Sequence, residues 1–376
     1  MPYLWMIIFW VLPIAAMGYI GWHLWCLLPI SGWWKAAIIA LGVGCFFMMF
    51  LNFARKFDAA PLWLASACYD ISTSSIIVLM YMFMTFLVLD LGRLVRLVPR
   101  AWLYDNWTTA GVLVALWVGI FVYGNIHYHN KYRKTLELTT SKPLQHEWKI
   151  VMASDLHIGY HNRRAELARW IDLINAEHPD LVLFAGDIID GSMRPLIEER
   201  MAEEFRRIQA PVYACLGNHE GYAGVDDAVQ FYHDAGICLL RDSAVTVGDD
   251  LRIIGRHDRM HLKRKSINEL VQDTTLHPSP STLNPQQYTI VLDHQPFHLD
   301  HTAAAGVDFQ LSGHTHHGQI WPVSWITHAI YECTYGEWRQ GNTLIYVTSG
   351  LGIWGGKFRI GTCSEYVVAT IKQQAN

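Results

Sequence analysis

Two patterns of apolar and polar positions divide the chain. The first comprises four long apolar runs, near residues 3–29, 33–53, 62–91 and 107–128. Each reaches the roughly 20 residues a helix needs to cross a hydrocarbon core of about 30 Å. They predict an N-terminal all-α transmembrane bundle of four helices within residues 1–130. Trp22, Trp25, Trp33, Trp34, Tyr104, Trp107 and Tyr123 cluster near the ends of the runs, where amphipathic rings favour the headgroup level. The first run lacks a basic flank and a small-residue cleavage site, so it reads as a span and not as a cleaved leader.

The second pattern occupies residues 131–376. Thr135 to Thr140 alternates as a half-buried strand does and opens a second domain. Short apolar runs follow at Trp148 to Ala153, Leu181 to Ala185 and Val212 to Leu216, separated by helical periodicity over Arg163 to Ala176 and Pro195 to Gln209. Further strands are predicted at Leu251 to Ile254, Thr289 to Leu292, Phe309 to Leu311, Thr343 to Thr348 and Tyr366 to Ile371. Met260 to Gln287 is basic, then rich in Ser, Pro and Thr, and reads as a surface loop with one short helix. Strand, polar loop and helix in repetition is an α/β pattern, and such sheets place their ligands at the strand ends.

Charge sharpens the division. Of 29 basic and 33 acidic residues only ten precede residue 131, and the net charge of −4 argues against a broad nucleic-acid surface. Arg55, Lys56, Lys131, Arg133 and Lys134 fall on one side of the spans, with Lys35, Arg93, Arg96 and Arg100 on the other. The uncharged N-terminus followed by Lys35 favours an outside start, which four spans return to the outside for the C-terminal domain. The expectation is a multi-pass protein of the cell inner membrane with an extracytoplasmic catalytic domain. The seven cysteines show no C-x-x-C spacing, hence no zinc knuckle or disulfide framework.

The polar strand ends read Asp155-x-His157, Gly186-Asp187, Gly217-Asn218-His219-Glu220, Asp293-His294 and Gly313-His314-x-His316. Carboxylate, amide and imidazole together suit borderline divalent cations better than calcium, which prefers oxygen alone. In this order the five motifs resemble those of the calcineurin-like metallophosphoesterases, from about Thr135 to the end. SDLHIG at 154–159, GHTHHGQI at 313–320 and SGLGIWGGKFRIGTCSE at 349–365 are similar to the membrane-anchored bacterial branch of that family.

The resemblance implies a four-layer αββα sandwich over residues 131–376 that hydrolyses phosphate esters with two divalent metal ions, Mn, Fe or Zn. It implies Asp155, His157 and His316 at the first metal, Asn218, His294 and His314 at the second, and Asp187 bridging them. His219 would act on the leaving group, oriented by Glu220. Arg359 and His317 are the candidate substrate contacts, whereas Asp190 reads as a loop or capping residue. His317 stands where the branch usually has glycine, and Ser364 where it usually has proline.

Four spans exceed what a tether needs, so the expected substrate is a lipid-linked phosphodiester, pyrophosphate or phosphomonoester, with membrane lipids as partners and no nucleic acid. Leu91 to Leu103, with Arg93, Arg96 and Arg100, reads as an interfacial segment that attracts anionic headgroups. A membrane-tethered nuclease or nucleotide phosphodiesterase would use the same metals but calls for a basic groove. A scaffold without catalysis would have lost ligands.

Overall fold

The computed structural model describes residues 11–273 and 286–374. The chain folds as two compact units, Met1–Asn125 with Gly355–Lys357, and Ile126–Trp354 with Phe358–Asn376.

The first unit is helical: α1 (Leu12–Leu27), α2 (Gly32–Phe53), α3 (Leu62–Leu94), and α4 (Trp107–His129), which runs past the unit's boundary. Three of these, α2, α3 and α4, are long and apolar enough to cross a membrane, one fewer than predicted. The described part of α1 has 16 residues, about 24 Å at 1.5 Å per residue, and it stops ahead of Pro29, before which helical backbone is disfavoured. Residues 3–10 of the expected span lie outside the described residues.

Ile20, Leu27, Phe86, Ala110, Leu113 and Trp117 form a shared core. At the end of α3, Asp90 accepts hydrogen bonds from Tyr19 Oη (2.7 Å) and Arg93 Nη1 (3.0 Å), with His23 Nε2 at 2.9 Å. Leu91 to Leu103 is not one interfacial helix. Its start belongs to α3, the chain turns through a left-handed Arg96 (φ 63°), and a short 3₁₀ turn covers Arg100–Leu103.

The second unit holds two six-stranded sheets. Sheet one has the order β1 (Lys131–Thr140), β12 (Ser364–Gln373), β2 (Trp148–Ala153), β3 (Leu181–Ala185), β4 (Val212–Cys215) and β5 (Cys238–Leu239). Sheet two runs β10 (Gly336–Gln340), β11 (Thr343–Val347), β9 (Phe309–Ser312), β8 (Tyr288–Leu292), β7 (Leu251–Gly255) and β6 (Ser243–Val247).

Side chains alternate along each strand with a period of two, and the alternation sorts the layers. Ile150, Met152, Leu181 and Leu183 join Ile253, Ile290, Leu292 and Leu311 in the core between the sheets. Val151, Val182 and Phe184 face the other way, onto Trp170 and Ile171 of helix α5 (Arg164–Ala176) and onto Phe205. On the far side of sheet two, Ile254 and Val291 pack against Ile267 and Leu270. The result is the expected αββα sandwich.

The predicted strands are present, extended at β1 and β12, with β5, β6 and β10 in addition. The helix expected over Pro195 to Gln209 is broken into Arg194–Glu198 and Ala202–Phe205. The loop expected over Met260 to Gln287 carries one helix, Ile267–Gln272, and its residues 274–285 lie outside the described residues.

Candidate metal centre

In sheet one β2, β3 and β4 run parallel, as do β8 and β9 in sheet two. Parallel strands deliver their C-terminal ends to one edge, and the five polar loops begin there: Asp155 and His157 after β2, Asp187 after β3, Asn218 to Glu220 after β4, His294 after β8, and His314 and His316 after β9. Asp155, His157, Asp187, His314 and His316 all adopt left-handed φ, between 46° and 69°. Such backbone turns abruptly and lets residues two apart address the same point. Close approach is the task of the glycines: a Cβ on Gly217 would collide with the Asp187 carboxylate, and one on Gly313 with Ser154 and Asp155.

The side chains converge in three groups whose donor atoms lie within 4.8 Å of one another: Asp155, His157 and His316; His157, Asp187 and His219; and Asp187, His294 and His314. His316 Nε2 lies 3.1 Å from His157 Nε2 and 3.3 Å from Asp155 Oδ1. On the other side His294 Nε2 is 3.0 Å from Asp187 Oδ2, which is also 3.7 Å from His157 Nε2. Asp187 therefore stands between the two outer groups. The His294 ring is set by Nδ1 donating to the Ala185 carbonyl (2.7 Å), which leaves Nε2 free as a ligand atom.

These residues fit a divalent cation on physical grounds. Asn218 is buried and its Oδ1 has no hydrogen-bond partner among the described residues. Buried acceptors are seldom left so. Burial by itself would raise the Asp155 and Asp187 carboxyls, yet the surrounding imidazoles hold both below the usual carboxylate range. Burial likewise opposes the charge on His157 and His294, but their carboxylate neighbours carry each pKa up to about 10. Burial wins at His314, pulled down to about 4, with the His294 charge acting in the same sense. The pocket thus gathers positive charge around its carboxylates, a demand that a bound cation meets.

His219 and Glu220 occupy different surroundings. His219 Nδ1 lies 2.8 Å from the Asp190 carbonyl oxygen and 3.3 Å from Asp190 Oδ1. Glu220 does not orient it. The Glu220 carboxylate, fully buried, accepts from the amides of Gly217 (2.7 Å), Ile189 (3.0 Å) and Asp187 (3.1 Å) and from Tyr232 Oη (3.0 Å). It ties the β3 loop to the β4 loop, because a carboxylate without water takes whatever donors the adjacent backbone offers. The orienting position falls to Asp190, whose Oδ1 also lies 3.4 Å from His157 Nδ1. Sequence reasoning gave Asp190 only a loop or capping role; the one available signal was its spacing of three from Asp187.

Arg359 is not a substrate contact. It is wholly buried, and its guanidinium donates to the carbonyls of His316 (2.8 Å), Ser349 (2.6 Å) and Gly352 (2.9 Å) and to Ser364 Oγ (3.2 Å). Its donors are committed to fixing the His316 loop, and Ser364 supplies one of the acceptors. His317 lies outside the three groups, half-buried with its ring stacked on Tyr335 at 4.6 Å.

Comparison with known proteins agrees with this geometry. The calcineurin-like phosphoesterase family matches residues 149–318. An uncharacterized metallophosphoesterase of Aquifex aeolicus is 30% identical over 270 residues, 70% of this chain and 100% of that protein. Another, from Campylobacter jejuni, is 30% identical over 232 residues, 61% of this chain and 60% of that protein's length. A transmembrane protein with metallophosphoesterase domain from Danio rerio is 24% identical over 361 residues, covering 90% of this chain and 80% of its own. The likeness to the Aquifex aeolicus protein over its whole length shows that the chain belongs to the calcineurin-like phosphoesterases, metal-dependent hydrolases of phosphate esters, and its three helices long and apolar enough to cross a membrane accompany that domain.

Proposed function

We propose that this phosphoesterase hydrolyses a lipid-linked phosphodiester, pyrophosphate or phosphomonoester at the membrane surface. The observation that carries the reading is the pairing, in one chain, of ligand groups that meet at Asp187 with three helices of spanning length. Asp155, His157 and His316 would hold one divalent ion, Asn218, His294 and His314 a second, with Asp187 shared; Mn, Fe and Zn suit the mixed donors. Such ions, when bound, supply Lewis-acid stabilisation of the phosphoryl oxygens and a nucleophilic water at neutral pH.

The chain's own residues do the rest. His219, with Nδ1 held by Asp190, keeps Nε2 to protonate the leaving alkoxide, the task of a general acid. The Asp190 carboxylate stands 3.3 Å from the same Nδ1. Glu220 and Arg359 hold the loops that carry Asp187 and His316. No covalent phospho-enzyme is needed, so no serine or cysteine has to be activated.

The net charge of −4 supports a lipid substrate over a nucleic acid, and an extracytoplasmic catalytic unit in a cell inner membrane is the placement we favour, with the apolar run near residues 3–29 counted as a fourth span beside the three helices of spanning length. The test is metal-dependent release of product from p-nitrophenyl phosphate, bis(p-nitrophenyl) phosphate, a membrane lipid extract and single-stranded DNA, side by side. Hydrolysis of a lipid fraction above that of DNA is the expected result; the reverse order would make the protein a tethered nuclease. Alkaline phosphatase and fluorescent-protein fusions at Asn376 report the side of the membrane, and fluorescence without phosphatase activity would reverse the placement.

A further inference from the structure

Immediately after the His314–His317 loop the chain forms helix α6 (Val323–Ile330, VSWITHAI), none of whose residues is buried. Its orientation is the reverse of an ordinary surface helix, which turns its apolar stripe inward. At 100° per residue, Trp325, Ala329, Ile326 and Ile330 occupy one stripe about 140° wide, and it faces outward: Trp325 is 66% exposed, Ile326 59% and Ile330 58%. Trp321, 42% exposed, packs edge-to-face on Trp325 and extends the stripe to the catalytic loop. Ser324 and Thr327, both half-buried, lie toward the domain, while the exposed His328 leans over its edge. Thr327 Oγ1 donates to the Ser324 carbonyl, and the His328 ring meets Thr334 Oγ1 at 3.1 Å and stands edge-on to His317.

We infer that α6 is a monotopic docking helix whose apolar stripe enters a lipid bilayer, so that the catalytic loop before it is held at the headgroup level. Three observations select a bilayer as the occupant. Between Ile320 and Tyr331 there is no Lys, Arg, Asp or Glu, so the stripe offers no ionic group to give a protein partner register, and no carboxylate to be repelled by anionic lipids. Tryptophan beside isoleucine is the composition that settles at the boundary of headgroup and acyl chain. A bilayer is also within reach by covalent connection, because α4 ends at His129 and β1 begins at Lys131. An outward apolar stripe of this kind, in a soluble domain, marks a contact surface rather than scatter. The inference holds whichever phosphate ester is cleaved.

The experiment uses the full chain in nanodiscs of phosphatidylcholine and phosphatidylglycerol, with the photo-cross-linker p-benzoylphenylalanine placed at Ile326 or, as control, at the exposed His233. Lipid adducts on the 326 peptide at least about tenfold above those on the 233 peptide are expected by mass spectrometry. Equal adduct yields would overturn the inference, as would cross-links from 326 to a second copy of the chain in place of lipid. A second arm uses Trp325→Gln/Ile326→Gln/Ile330→Gln together. Hydrolysis of p-nitrophenyl phosphate should stay within about twofold of wild type, while lipid adducts from a probe at Ala329 fall at least about fivefold. Equal loss of soluble-ester hydrolysis and no loss of adducts would make α6 a structural element of the site and sink the docking role. Failure of wild type to cleave any lipid ester would defeat the proposed substrate but leave the adduct measurement to decide docking.

Discussion

Replacing Asp190 by asparagine separates positioning from ligation. The carboxylate is buried, and a single oxygen, Oδ1, faces two imidazoles, 3.4 Å from His157 Nδ1 and 3.3 Å from His219 Nδ1. Burial opposes its charge, but the His157 and His219 contacts hold it ionised, far below the ordinary carboxylate range. An amide oxygen in the place of Oδ1 can still accept but carries no charge, so both rings lose the charge-assisted part of the contact. His219 retains the backbone carbonyl of residue 190 at 2.8 Å, so the loss should fall chiefly on His157. A partner behind a metal-ligating histidine is usually worth about 10–100-fold in metal affinity or activity, about 1.4–2.7 kcal/mol. Asp190→Asn should therefore lower kcat/KM on p-nitrophenyl phosphate by about 10–100-fold, with part of the loss recovered at raised Mn or Zn. The assay is turnover against metal concentration, with bound metal measured by mass spectrometry. Turnover within about twofold of wild type at limiting metal would refute the positioning role, and complete loss of both metals would show that Asp190 holds far more than one ring.

Asp187→Asn should weaken both metals together, since Asp187 stands between the outer ligand groups; loss of one ion with the other held at wild-type affinity would contradict a shared ligand. His219→Ala should keep both metals and lose about 10²–10⁴-fold in kcat on alkyl esters, with a smaller loss on p-nitrophenyl esters, whose leaving group needs no proton; equal losses would remove the general-acid role. Arg359→Met leaves the buried carbonyls of Ser349 and Gly352 without their donor, at about 1–3 kcal/mol for each unsatisfied group, so the unfolding midpoint of the catalytic unit should drop by several degrees; an unchanged midpoint would refute the account. Hydrogen bonding from Arg133, with Lys149 beside it, holds Glu177 below its ordinary 4.5. Its contribution is complete above 4.5 and is lost as pH falls through the lower folded-state value. The stability gap between wild type and Glu177→Gln should then be present at neutral pH and gone in strong acid; a gap that persists in acid would mean the pair acts through packing.

The parts of the molecule legible in the sequence are those that repeat a local rule. Buried strands such as Leu181 to Ala185 announce themselves as short apolar runs, and the loops that follow them carry ligand-type residues with glycines beside them. Those loops meet because parallel strands end on one edge, a consequence of topology that the strand–loop–helix order already implies. Arg359 was misread because an arginine among glycines looks the same in sequence whether it faces solvent or a ring of carbonyls. Only the folded path of Ser349 to Gly352 and of His316 shows which. Glu220 was misassigned for a similar reason: its true partners are amides of residues 187 and 189, and backbone donors leave no mark on residue identity. The short edge strands β5, β6 and β10 lack a long apolar run of the kind that marks β2 and β3.

The left-handed backbone at Asp155, His157, Asp187, His314 and His316 has a consequence for how much change this domain can absorb. Non-glycine residues held there cost about 1–3 kcal/mol each, and five of them reach the size of a domain's whole net stability of about 5–15 kcal/mol. The surrounding sandwich has to supply that excess, so a substitution in its core that another fold would survive takes this one closer to unfolding. A bound metal returns part of the margin by favouring the folded state. Cells short of metal would then lose the protein to proteolysis as well as to inactivity. The same reasoning makes glycine at positions 155 or 314 a relaxing change for the backbone and a fatal one for ligation, so variants selected for heat resistance alone should drift toward an inert, more durable protein.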